Sequence, residues 1–363
     1  METYKLSDLL ELKYGKDHKK LRNGSYPCYG SGGIIRYVDE YLYDKESILI
    51  PRKGSLNNLF YVNKPFWTVD TIFWSKINSE RVDGKYLYYL LHNYDLAVLN
   101  EGTAIPSLTT KVLNQLNIKI TSLSKQRKIA QILSMFDEKI KLNNEINNNL
   151  ENLATIIYNK NFIDDGHEKK SPLKNYANRI VTGKTPSTKN EDYYGKEIPF
   201  ITIPDMHNTV YITETQRYLS VYGANTQKTK FLPENTICVS CIGTAGLVSL
   251  TSKKSQTNQQ INSIIPKDSS LIYYLYFSLK ELAIDIINFG SGGSTICNLN
   301  KTQFENLEIR EPNKIRLSNF NKLMLPIFKN ILKNQLENKS LSELKQLLLP
   351  KLLSGELDVT KLK

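Results

Sequence analysis

Apolar residues recur at spacings of three and four after position 129: Ile129, Ile132, Leu133, Phe136 and Ile140, continued by Leu150, Leu153 and Ile157. That spacing marks one face of a helix. The pattern returns 191 residues later, where Ile327, Ile331, Leu341, Leu344 and Leu348 answer Phe136, Ile140, Leu150, Leu153 and Ile157. Two long helices are therefore predicted, one over 123–162 with Ser124 as its N-cap and one over 312–353. Pro326 is expected to break the second, whose long part then starts there with proline in its first turn. From that proline to Leu353 are 28 residues, roughly 42 Å of helix at 1.5 Å per residue.

A heptad-like seam through these helices runs Phe136, Ile140, Asn143, Asn147, Leu150 and Ile157 in the first. In the second it runs Ile327, Ile331, Asn334, Asn338, Leu341 and Leu348. Both seams thus carry two asparagines at their middle. A buried asparagine lowers stability but fixes register, because one alignment lets the amides pair. The alternative is that an Asn-rich composition placed them by chance, facing solvent.

The repeat extends beyond the helices. Gly102-Thr-Ala-Ile105-Pro-Ser-Leu108 followed by Leu116 and Ile118 is answered, again at 191, by Gly293-Ser-Thr-Ile296-Cys-Asn-Leu299 followed by Leu307 and Ile309. Near the starts, Leu6, Asp8 and Gly15-Lys16 are answered by Leu173, Asn175 and Gly183-Lys184 at an offset near 168. The second copy therefore carries an insertion of about 23 residues in its middle. Between the helical segments lie two globular regions, 1–122 and 172–311, with a polar linker at 163–171 and a tail at 354–363. Both mix β-rich runs, such as 47–50 and 236–239, with one amphipathic helix, near 85–99 and near 270–287. Tyr86, Tyr88, Tyr89, Tyr273, Tyr274 and Tyr276 on those helices read as core and rim.

The 363 residues divide, at roughly 150 per domain, into about two domains. Lys and Arg number 48 against 36 Asp and Glu, giving a net charge of +12 and a pI near 9.2, a surface that favours a polyanion. No run of eighteen apolar residues occurs, and the start lacks a signal-peptide pattern, so a cytoplasmic chain without membrane contact is expected. Cys28, Cys238, Cys241 and Cys297 make no disulfide framework.

Catalytic patterns are incomplete. Gly30-Ser-Gly32-Gly33 and Gly290-Ser-Gly292-Gly293 do not extend to a dinucleotide or phosphate-binding loop. Asp205 and Glu214 are followed by Gln216 where a nuclease triplet needs lysine. Cys238 and Cys241, three apart on an expected strand, point to opposite faces and cannot share a metal there. His18, His92, His167 and His207 form no local cluster. No catalytic or metal-binding residue is assigned, and no cofactor is expected in this chain.

What remains is basic and repeated. Lys13, Lys16, Lys19, Lys20 and Arg22 surround Tyr14-Gly15; Arg179, Lys184, Thr185, Ser187 and Lys189 surround Gly183. Glycine lets a backbone amide approach a phosphate, Lys and Arg neutralise it, and Ser or Thr donate hydrogen bonds. The plain alternative for each lysine is a solvated surface charge. For reading bases the candidates are Arg52, Lys53 and Ser55, and Asn258, Gln259 and Gln260, since Arg matches guanine edges and Asn or Gln matches adenine edges.

Several stretches together resemble the specificity subunit of type I restriction–modification systems. They are Leu123-Ser-Lys-Gln126-Arg-Lys-Ile129-Ala-Gln-Ile-Leu133 with Phe136-Asp137-Glu-Lys-Ile140, and Leu347-Leu-Leu-Pro350-Lys-Leu-Leu-Ser-Gly355-Glu-Leu-Asp-Val359. Tyr29-Gly-Ser-Gly-Gly-Ile34, Val181-Thr-Gly183-Lys-Thr-Pro186-Ser and Gly102-Thr-Ala-Ile-Pro-Ser-Leu108 join them. The chain departs from the family pattern at Thr121-Ser122 and Lys125-Gln126, and at 312–316, which lacks the glutamine. The resemblance implies an α+β fold: two target-recognition domains separated by two long antiparallel coiled-coil helices, with pseudo-twofold repetition. It implies double-stranded DNA as ligand, each domain reading half of a split, asymmetric target while the helices set the spacer. It also implies methyltransferase partners using S-adenosylmethionine, and restriction/translocase partners using ATP with Mg. An autonomous DNA-modifying enzyme and a coiled-coil scaffold without sequence preference are the alternatives.

Overall fold

A computed structural model describes residues 1–102, 106–163, 169–283, 286 and 298–359, and the chain divides into two units, residues 1–139 with 341–363 and residues 140–340. Along the chain, β1 (Glu2–Lys5), α1 (Leu6–Leu9), β2 (Leu10–Tyr14), β3 (Asn23–Gly30), β4 (Gly33–Val38), β5 (Ser47–Pro51), β6 (Phe60–Val62), β7 (Trp67–Thr68) and β8 (Ile72–Ile77) come first. Then α2 (Gly84–His92), α3 (Thr110–Asn114) and β9 (Asn117–Ile120) lead into the long helix α4 (Leu123–Phe162). The second copy runs β10 (Lys170–Pro172), β11 (Ala177–Thr182), β12 (Tyr194–Ile201), β13 (Tyr211–Ile212), β14 (Arg217–Leu219), α5 (Val221–Asn225), β15 (Ile237–Ser240), β16 (Val248–Thr251) and β17 (Gln256–Thr257). It continues through β18 (Ile261–Pro266), α6 (Ile272–Glu281), α7 (Lys301–Glu305) and β19 (Glu308–Arg310) into α8 (Lys314–Ser354).

Each unit uses one topology. The sheet β2-β8-β5-β6 of the first corresponds to β11-β18-β15-β16 of the second, which β13 extends; β4-β3-β7 corresponds to β14-β12-β17. In both smaller sheets the central strand pairs antiparallel on one side and parallel on the other. β1 pairs antiparallel with β9, and β10 with β19.

The short apolar runs are central strands buried on both faces. Ile48 and Ile50 of β5 join a core with Leu87, Leu91, Ile129, Leu133, Leu352 and Leu353, while Leu49 points the other way, to Phe66 and Ile72. That alternation is the period-two rule of a strand. Ile237 and Val239 of β15 likewise face Tyr274, Phe277, Tyr158 and Phe320, and Cys238 faces Ile201 and Leu232. Cys241 lies in the first of those clusters, on the opposite side from Cys238. Tyr86, Tyr89, Tyr274 and Tyr276 are buried, with Tyr88 and Tyr273 at the rim.

Several expectations change. α8 is unbroken at Pro326. Proline removes one backbone donor, but Pro326 and the residue it orphans, Lys322, are both exposed, so the freed carbonyl avoids the penalty of burial without a partner. Met324 and Phe328, fully buried on either side, hold the helix together. Ser124 lies inside α4, and the first intrahelical bond runs from Gln126 N–H to the Ser122 carbonyl. Leu153 and Leu344 face solvent at 48% and 45% exposure, while Ala154 and Tyr158 take the inward positions. A straight helix of 3.6 residues per turn drifts from a strict heptad, which moves the buried face by one residue. The helix expected near 85–99 ends at His92, followed by a tighter turn over Leu96–Leu99 capped by Asp95. Beyond α8, Gly355 adopts φ +80° and Leu357 N–H closes back on the Lys351 carbonyl, so the chain turns inward and buries Val359. Residues 164–168 of the expected linker, with His167, lie outside the described residues. So do Ile105, the Gly290–Gly293 loop, Ile296, Cys297 and residues 360–363.

Candidate nucleic-acid interface

In the first unit β2 ends at Tyr14, and the chain turns at Gly15 directly against the β7–β8 connection. A Cβ on Gly15 would overlap the Val69 carbonyl oxygen, so the close approach requires glycine. Gly15 N–H donates to the Ile72 carbonyl at 3.1 Å and Lys16 N–H to the Thr68 carbonyl at 2.9 Å. Two indoles lock the loop from below: Trp74 Nε1 donates to the Tyr14 carbonyl and Trp67 Nε1 to that of Lys16, both at 3.1 Å. With its backbone so held, Lys16 carries its ammonium into solvent.

The Arg52 guanidinium lies 5.5 Å from the centre of the exposed Tyr14 ring and donates to the Asp70 carbonyl at 3.1 Å. Arg52, Tyr14, Lys16 and Asp70 therefore share one surface. The loop of Lys53, Gly54 and Ser55 abuts Ser31, whose carbonyl accepts from Asn58 Nδ2 at 2.8 Å. Lys19, Lys20, Lys53 and Ser55 are exposed. Lys13 is differently placed: its ammonium bonds Glu11 and holds that carboxyl below its ordinary range. Arg22 sits 3.8 Å from Asp39.

The second unit builds the same corner. Gly183 N–H donates to the Ile261 carbonyl at 3.1 Å and Lys184 N–H to that of Thr257 at 3.0 Å, and a Cβ on Gly183 would overlap the Asn258 carbonyl. The bonds beyond it match too. Val69 N–H to Tyr29 corresponds to Asn258 N–H to Ile201, and Arg52 N–H to Thr71 corresponds to Cys241 N–H to Gln260. Around this frame Thr185 Oγ1 donates to Gln259 Oε1 at 2.6 Å, and Gln227 Nε2 donates to the Lys184 carbonyl at 2.9 Å. Lys230 Nζ caps the Thr182 carbonyl at 2.9 Å.

The candidates of the second unit separate accordingly. Lys184, Ser187, Lys189 and Gln259 are exposed. Asn258 is buried and spent on the turn itself: its Nδ2 donates to Gln260 Oε1 at 2.9 Å and its Oδ1 accepts from Gln260 N–H at 3.1 Å. Arg179 leaves the corner, donating to the Phe231 carbonyl at 2.7 Å. Asp70, Gln227 and Lys230 carry no local signature; only the internal repeat, at an offset of 189 from Ile72 to Ile261, points to the first of them. Asp205, the carboxylate that suggests nuclease chemistry, accepts from Thr202 N–H and Oγ1 and from Gln216 N–H, closing its own loop. Among the described residues no group of His, Cys, Asp and Glu is arranged to hold a metal ion, and no helix is long and apolar enough to cross a membrane.

Within the second unit the helix asparagines meet. Asn143 Nδ2 donates to Asn338 Oδ1 at 2.8 Å, Asn334 Nδ2 to Asn147 Oδ1 at 2.9 Å, and Asn338 Nδ2 to Asn144 Oδ1 at 2.8 Å. Asn147 also reaches the Ile331 carbonyl. The falling partner numbers make α4 and α8 antiparallel here. Ile331 is buried beside Leu150, Ile157 and Ile327; in the first unit Leu348 packs into the core with Leu352, and Lys345 bonds Asp137. Phe136, Ile140 and Leu341 are half-buried.

This chain is similar to the HindI type I restriction enzyme specificity subunit of Haemophilus influenzae, 36% identical over 337 residues covering 72% of this chain and 73% of that protein. It is also similar to the MjaIX specificity subunit of Methanocaldococcus jannaschii, 26% identical over 353 residues, covering 88% and 80%. The crystal structure of a type I restriction–modification S subunit from M. genitalium shares the fold, with a TM-score of 0.64 at 18% identity over 97% of this chain and 96% of that one. Residues 1–152 and 172–346 each match the type I restriction modification DNA specificity domain, and the chain belongs to that family, carrying its domain twice.

Proposed function

We propose that this chain reads DNA for a type I restriction–modification complex, each unit recognising one half of a bipartite, asymmetric target. The observation that carries the reading is the glycine–lysine corner built twice from the same backbone hydrogen bonds. In each copy a lysine is presented on a fixed backbone beside exposed polar side chains. A fixed cation beside donor and acceptor groups suits a phosphate next to a base edge. The net charge of +12 favours the same ligand.

In this reading α4 and α8 set the unread spacer and dock methyltransferase subunits. Leu142, Ile146 and Leu153 of α4, within 40° of one another around a helix of 100° per residue, are 39–49% exposed and offer an apolar stripe to a partner. The chain itself is non-catalytic and works in the cytoplasm. S-adenosylmethionine belongs to the methyltransferase subunits, and ATP with Mg to the restriction/translocase subunits when they join.

Co-expression with the cognate methyltransferase subunit, followed by genome-wide mapping of methylated adenines, tests the proposal. One split motif with a constant gap is expected. Methylation without a motif, or stoichiometric S-adenosylmethionine binding by the isolated chain, overturns it.

A further inference from the structure

The two corners have matching backbones and different side chains. Val69 to Ile72 and Asn258 to Ile261 are each a four-residue turn closed by an N–H to carbonyl bond between first and last residues, at 3.1 and 3.3 Å. Glycine and lysine backbones flank both turns in the same hydrogen-bonded register. Their central pairs are Asp70-Thr71 in one and Gln259-Gln260 in the other. A protein that reads two different half-sites from one repeated scaffold must discriminate where the scaffold is constant and the chemistry is not. Lys16 and Lys184 are the same in both copies and suit the invariant phosphate. Asp70 and Gln259 occupy one position, are both exposed, and differ in what they offer a base.

Among the described residues the Asp70 carboxylate has no hydrogen-bond or ion-pair partner. It is an acceptor only, and matches an exocyclic amine, on cytosine N4 or adenine N6. Gln259 is oriented by its neighbour: Thr185 Oγ1 donates to its Oε1, which leaves Nε2 to donate outward. That amide matches an acceptor edge, N7 or O6 of a purine or O4 of thymine. On this basis, and resting on the DNA-reading function proposed above, we propose that Asp70 and Gln259 are equivalent specificity-determining residues. Asp70 would read a base-borne amine in one half-site, and Gln259 a base-borne acceptor in the other.

The test maps methylated adenines made by the complete methyltransferase complex containing wild-type chain, D70N or Q259E. D70N adds a donor where only an acceptor stood, and Q259E removes the donor. The expected result is that D70N relaxes or changes a base pair in one half of the split motif, with preference there shifting by about 10- to 100-fold. Q259E does so only in the other half. Unchanged motifs for both variants, changes in the same half, or uniform loss of methylation from an intact complex overturn the assignment while the DNA-reading function stands. A wild-type complex without any split motif overturns both.

Discussion

Asn334 Nδ2 donates to Asn147 Oδ1 at 2.9 Å, joining α8 to α4 by paired side-chain amides next to the Asn143–Asn338 pair in the middle of the seam. Replacing one member strands the other's polar group. N147L or N334L alone should lower stability by about 1–3 kcal/mol. The double variant should cost less than the sum, because both polar groups leave together. Urea unfolding of the four proteins measures the coupling, and strictly additive losses would mean that the pair does not interact in solution.

Gly15 and Gly183 leave no room for a side chain above the Val69 and Asn258 carbonyls. G15A and G183A should each destabilise by about 1–3 kcal/mol, the usual range for forcing an atom into occupied space. DNA affinity should fall further than stability predicts, since the lysine backbone moves with the glycine. Thermal unfolding alongside DNA titration separates the two effects; a G183A protein with wild-type stability and affinity would contradict the packing.

The lysines should divide by their present partners. K16A and K184A are expected to weaken binding to every duplex alike and to reduce the slope of log affinity against log salt by about one each. K13A should leave that slope nearly unchanged, because the Lys13 ammonium already bonds Glu11. Affinity measured in the assembled complex across a salt series reads all three.

Burial pushes the Cys238 thiol up to about 12 from an ordinary value near 9, and the Tyr86 phenol up to about 12 from 10. Groups raised on folding ionise first in the unfolded chain. Their stabilisation is complete below about pH 9 and is lost as pH climbs toward 12. The urea midpoint should therefore fall between about pH 8 and about pH 10.5, and Cys238 should resist alkylation in the native protein at about pH 8. Rapid native labelling of Cys238 would show that water reaches it.

Features that live on neighbouring residues are legible in the sequence itself. The apolar period after Ile129 and the two seam asparagines in each helix depend on local spacing, and matching one such stretch against another gives the recurrence at 191; together they recover two helices and a duplicated chain. Continuity of α8 through Pro326 is not legible there, because it depends on which side of the helix meets water and on Met324 and Phe328 being gripped by other elements. Nor is the role of Asn258: as a residue type it suits adenine, but its amide is consumed by Gln260 within the turn. Asp70 is 55 residues from Gly15 in sequence and carries no motif. Its place beside Arg52 and Lys16 emerges only when β2 and β8 pair, a contact that composition cannot announce.

The pairing of β1 with β9, Glu2 opposite Ile120, and of β10 with β19, Lys170 opposite Arg310, makes each globular region begin and end on adjacent strands. A segment whose two ends lie side by side is topologically a pendant. It can be exchanged, or grow inside, without displacing the helices that carry it. The second region is itself an example: Tyr29 and Arg52 are 23 apart where their counterparts Ile201 and Cys241 are 40 apart, yet the strands and the glycine corner keep their register. New binding preferences could therefore arise by swapping one pendant whole, with the helical chassis left as inherited.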